Sequence, residues 1–283
     1  MTAFRAPRRP GRLAAWMILG LAVPVYVLPL YWLLVTSLKS KAELYRGTVT
    51  LYPHAPTLEP YSRVLFERGF WVLMRNSVLV CGVTVLITLA LGLLIAYPIT
   101  RLRTSATVRQ GVLNWALSLR FMPPVAVVIP YFAVVRAAHL YDTPQALIFI
   151  YSLFNLPFAV WMLKGFLDEI PSEIEDAAYI DGGGRWTVFW RVLLPLASPG
   201  LLASGVIVFT FAWSEFLFAL ILTATPHAQT FPVGVQGLVT QFEVIWNDMA
   251  AAGGIAMALP LVLALLARRY LIAGLTFGVI RER

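Results

Sequence analysis

The chain has 283 residues, 59% of them hydrophobic and 13% charged, with a formal net charge of +8. Soluble domains carry about 25% charged residues, and the apolar excess here comes in long runs, which points to a polytopic membrane protein. The basic residues flank those runs, so lipid headgroups and membrane orientation account for them and nucleic acid does not. A single cysteine, Cys81, excludes an internal disulfide and a paired-cysteine zinc site.

In chain order, a basic tail over 1–12 precedes the first apolar run, Leu13–Thr36. That run exceeds the roughly 7–15 residues of a cleavable signal core, so it is expected to be an uncleaved first span. Residues 37–71 form an outer loop with a short amphipathic helix. A core over 72–268 then holds spans expected at Ser77–Thr100, Gly111–Val135, Thr143–Leu163, Ser198–Thr223 and Ala250–Ala267, and 269–283 is a second tail. Each span is near the roughly 20 residues that cross hydrocarbon. Each must be helical, because lipid offers open backbone no partner. The fold expected is an all-α integral membrane protein with six transmembrane helices. Prolines such as Pro123 and Pro124 predict kinks. Six spans put both termini on one side. The four inner segments then carry 14 basic residues against 7 outside, which predicts cytoplasmic termini.

The inner loop over 164–197 is the most informative segment. Ser172 and Glu175 have the spacing of a capping box. Glu173, Glu175 and Asp176 suit the positive end of a helix dipole. Ile174, Ala177, Ala178 and Asp181 share a face with little bulk. Gly182, Gly183 and Gly184 predict a stop, since glycine takes the left-handed cap without strain. Six acids against three bases in this loop argue against a helix lying on lipid, which prefers a basic face. A docking helix fits better.

The stretch Asp176-Ala177-Ala178, three residues, Gly182, nine residues, Val192, one residue, Leu194-Pro195 resembles the cytoplasmic loop motif of permease subunits in binding-protein-dependent ABC importers. Asp176 stands where that family usually has Glu, and Val192 where it often has Ile. "RNSVLVCGVTVLITLALGLLIAYPITRLR", "FAWSEFLFALILT" and "RRYLIAGLTFGVIRER" resemble other parts of the family, in its carbohydrate, maltose-permease-like branch. The resemblance implies a type I importer transmembrane domain whose inner loop is a coupling helix. It implies that Glu175, Asp176, Ala177, Ala178, Gly182, Leu194 and Pro195 couple the chain to an ATPase. The partners it implies are two ATPase subunits, a second permease subunit of a different chain, and an extracytoplasmic binding protein delivering a sugar or polyol. Glycerol phosphate is the alternative solute. The expected site is a bacterial cytoplasmic membrane, with lipid around the spans.

This chain has no G-x-x-x-x-G-K-[ST] loop, so no cofactor is expected in it, and ATP and Mg²⁺ are expected on the partner ATPase. No catalytic or metal-ligating cluster is apparent, and His54, His139 and His227 are scattered through outer segments. Ionisable residues within spans are costly and default to function. Arg120 and Glu215 qualify as path residues, with Asn155, Trp213 and Ser214 as polar or aromatic companions suited to a sugar. A self-sufficient secondary transporter would need an internal repeat and its own ion site, and neither is evident.

Overall fold

A computed structural model describes residues 11–46, 49–102, 104–239 and 244–276, without the side chains of 12–14, 120 and 271–276. The chain divides into two compact units, Met1–Arg68 with Leu238–Ile255, and Gly69–Gly237 with Ala256–Arg283.

The first unit contains helix α1 (Arg12–Ser37), the short helices α2 (Lys41–Leu44) and α3 (Glu59–Ser62), and a wide helical turn over Arg63–Glu67. The opening turns of a long helix, Trp246–Thr276, also belong to it. Pro24 and Pro29 lie inside α1 without ending it, as lipid-embedded helices allow. The outer loop is held by charge. Asp248 is fully buried, and its carboxylate accepts three hydrogen bonds from Arg63, at 2.9–3.2 Å, and one from Arg68 at 3.0 Å. A buried carboxylate survives only when paired in this way. Arg63→Met should therefore lower the unfolding free energy by about 3 kcal/mol, read as a fall in melting temperature in detergent. Arg68→Met should cost less, because it removes one bond. His54 is not a free loop histidine: Nδ1 lies 3.0 Å from Glu43 Oε1, which also accepts its backbone amide at 3.1 Å.

The second unit contains α4 (Phe70–Arg101), α5 (Ala106–Phe121), α6 (Pro124–Ala137) and α7 (Pro144–Glu169). After these come α8 (Ser172–Ile180), α9 (Arg185–Val188), α10 (Leu194–Trp213), α11 (Leu217–Leu222) and α12 (Phe231–Gln236). The helix Trp246–Thr276, α13, ends in this unit. Helices α4, α7 and α10 pack through small residues, which let membrane helices approach closely. A Cβ on Gly92 would stand 3.1 Å from Ala159 Cβ, and one on Gly200 would stand 2.3 Å from the Phe166 ring.

Among the described residues five helices are long and apolar enough to cross a membrane, and up to six if the bent pair α5–α6 is one span. Three expectations need correction. The span expected over Gly111–Val135 is not one helix, because its halves meet at 96° at Met122–Pro123. Pro123 and Pro124 remove two successive backbone donors there. The span expected over Ser198–Thr223 starts earlier and stops at Trp213, with α11 as a separate turn. The last helix starts at Trp246, not Ala250, because Asp248, polar in sequence, is neutralised by two arginines.

Candidate functional site

Helix α8 forms where the sequence predicts a docking helix, but it is anchored differently. Pro171, not Ser172, is the N-cap, and no side chain caps the helix. Glu175 does not turn back to complete a capping box. It is 5% exposed, with Oε1 2.6 Å from Nε of Arg101 at the end of α4. This is a charge contact, since the Nε–H is not aligned for a hydrogen bond. Arg101 Nη2 donates to the Ile170 carbonyl at 2.6 Å, just before α8 begins. One guanidinium thus ties both the entry to α8 and its buried acid to a membrane helix. Burial pushes the Glu175 carboxyl above the usual glutamate range, and Arg101 offsets part of that rise.

The end of α8 follows the expectation. Gly182 has φ +85°, its amide donates to Tyr179 O, and the Gly183 amide donates to Ala178 O at 3.0 Å. These two bonds form a Schellman motif, with glycine in the left-handed position. Gly183 is needed for space, since a Cβ there would lie 2.7 Å from Ala178 O. Asp176 and Ala177 face solvent, and Ile180 is 86% exposed. Downstream, α9 runs through a wide turn over Phe189–Leu193 into α10. Leu193 is buried with Ala96, Leu163, Leu167 and Ala197. Leu194 is half-buried, and Pro195 is exposed in the first turn of α10, where proline needs no donor.

Of the second group of predicted residues, Trp213, Ser214 and Glu215 lie at the break after α10. Glu215 is not within a continuous helix. Its two carboxylate oxygens accept the amides of Phe218 (3.0 Å) and Ala219 (3.3 Å), neutralising donors of α11 that have no helical partner. Trp213 is buried, donates Nε1–H to Ala256 O at 2.9 Å, and stacks on Phe209. Ser214 is exposed and Glu215 half-buried. Asn155 is buried in α7 and donates to Tyr151 O of its own helix. The side chain of Arg120 lies outside the described residues.

Three residues of structural consequence escaped the sequence. Arg101 counted there only as a charge at a span end, although an acidic inner loop with few bases of its own called for a cation from elsewhere. Asn76 Nδ2 donates to Pro226, His227 and Gln229 carbonyls at 3.0–3.1 Å, clamping the segment between α11 and α12. Asp142 holds the same segment through the Ala224 and Thr225 amides and the Thr225 hydroxyl.

Burial pushes the Asp142 carboxyl up, but those three hydrogen bonds outweigh it and hold the group below the ordinary aspartate value. A depressed carboxylate stabilises above its unfolded pKa of about 3.9 and loses that contribution as pH falls through its folded value. Hydrogen exchange should therefore show the Ala224 and Thr225 amides protected at neutral pH and released in acid. Asp142→Ala should exchange them about tenfold faster at neutral pH, near the roughly 1.5 kcal/mol of a bond to a charged group, with no acid limb.

Helices long and apolar enough to cross a membrane, no strand beyond an isolated Val239–Val244 bridge among the described residues, and an acidic helix between two such helices define an all-helical membrane protein. Residues 88–276 match the model of the family described as "Binding-protein-dependent transport system inner membrane component". The trehalose transport system permease protein SugB of Mycobacterium tuberculosis is 34% identical over 95% of this chain and 98% of its own. The sulfoquinovosyl glycerol transport system permease protein SmoH of Agrobacterium fabrum is 33% identical, covering 88% of this chain and 87% of its own. A solved bacterial ABC transporter involved in import of the acidic polysaccharide alginate superposes with a TM-score of 0.75 at 19% identity, over 93% of this chain and 99% of that one. The chain belongs to the family of binding-protein-dependent transport system inner membrane components, and it is a permease subunit of an ABC importer, not an enzyme.

Proposed function

We propose that this permease moves a sugar or polyol across a bacterial cytoplasmic membrane. An extracytoplasmic binding protein delivers the solute, and two ATPase subunits that bind ATP and Mg²⁺ drive the cycle. A second permease chain completes the path, and both termini lie in the cytoplasm, as the excess of inner basic residues favours. The sugar-transport relatives support the substrate class. One observation carries the mechanical part. Glu175 is turned inward onto Arg101, which leaves Asp176 and Ala177 as the outward face of a stiff helix. ATPase subunits grip that face, with Gly182 aiming it and Leu194-Pro195 passing the motion into α10. Ser214 and Glu215, at the helix break, are the leading candidates for contact with the solute, and Arg120, Asn155 and Trp213 complete the candidate set.

Co-purification followed by reconstitution tests the reading. The tagged chain should bring down an ATPase and a second permease. Proteoliposomes of that complex should accumulate a sugar or polyol only with ATP and the binding protein present. Uptake by the chain alone, driven by an ion gradient, would overturn it.

A further inference from the structure

A groove of about 560 Å³ lies between α4 and the α9–α10 elbow. One wall is Ala90, Leu94 and Pro98, the other Trp186 and Trp190, and Arg185 is the one charged residue on it. The aromatic wall is built around Phe189, whose ring packs edge-on against Tyr97 at 5.2 Å and Trp190 at 5.3 Å, and against Trp186 at 6.4 Å. Trp186 remains 75% exposed. Tryptophan prefers the headgroup level of a bilayer, with its apolar body in the hydrocarbon. From Ala90 to Leu102 the groove follows α4 for about 18 Å at 1.5 Å per residue. That is close to one leaflet, half of the roughly 30 Å hydrocarbon core. A spanning helix of a partner would need the full depth and a width of about 10–12 Å.

The geometry points to a binding site for one anionic phospholipid, an acyl chain against Leu94 and Trp190 and the phosphate on Arg185. One basic residue near an anionic lipid surface contributes about 1 kcal/mol, so Arg185 beside the apolar slot favours an anionic over a zwitterionic headgroup. The lipid would bear on the elbow that leads from α8 into α10.

The test places a photoreactive p-benzoylphenylalanine at Leu94, exposed on the groove wall. The full complex is reconstituted in equimolar phosphatidylglycerol and phosphatidylcholine, irradiated, and its adducts identified by mass spectrometry. Phosphatidylglycerol should be captured about fivefold more, the ratio given by roughly 1 kcal/mol per basic residue near an anionic surface. Arg185→Gln should bring the ratio to about one while adducts persist. Equal capture of both lipids by the Arg185 protein, an undiminished preference in Arg185→Gln, or adducts to another permease chain would each overturn the site.

Discussion

Gly182→Val should leave the protein inserted and the ATPase turning over, while solute moved per ATP falls about tenfold. The cause is local. Gly182 sits at φ +85°, where a side chain meets open space but the backbone itself is strained. The left-handed conformation costs an L-residue about 1–2 kcal/mol, and a β-branched one more. Relief requires rotating φ, which breaks the Gly183 amide bond to Ala178 and re-aims α8 relative to the chain that follows. A tenfold loss corresponds to about 1.4 kcal/mol of that strain. Gly182→Ala should show a smaller loss. Simultaneous measurement of ATP hydrolysis and uptake in proteoliposomes decides it, and wild-type stoichiometry in the valine variant would count against the coupling role.

Arg101→Ala should be the more damaging change. It leaves Glu175 buried without its cation, a class of lesion that costs about 3–5 kcal/mol. It also frees the Ile170 carbonyl. Replacing both partners, Arg101→Met with Glu175→Met, should restore most of the loss, because two apolar groups need no compensation. The pH dependence has a defined sign. Burial raises the Glu175 carboxyl and Arg101 lowers it, so losing Arg101 raises it further. A raised acid favours the folded form fully below its unfolded pKa, and that contribution is lost as pH rises through the folded value. The α8 segment of Arg101→Ala should therefore be cut readily by protease at pH 8 and resist at pH 5. The double methionine variant should resist at both.

The sequence made helix α8 and its stop legible because their signals are local. Alanines 177 and 178, the acids before them and the glycine brake act within a few residues of one another. What it hid depends on distance in the chain. Glu175 reads as half of a capping box until Arg101, on another helix, takes its carboxylate. Asp248 reads as a loop acid until Arg63 and Arg68 neutralise it and the last helix begins before it. Glu215 reads as a charge within a span because hydropathy does not register that the ladder stops at Trp213. The bend at Met122–Pro123 was signalled by two prolines, but its 96° angle was not.

The crossing at Gly200 fixes how motion can pass along α10. The Phe166 ring lies so close to the α10 backbone that even a methyl group would collide with it. The contact is the tightest approach of α7 to a glycine of α10, and it offers a pivot about which a push on the Leu194 end can tilt the helix. At 1.5 Å per residue, Gly200 is about 9 Å from Leu194 and about 20 Å from Trp213. The helix is a lever with unequal arms, and a small displacement at its short end roughly doubles in amplitude at the Ser214 break.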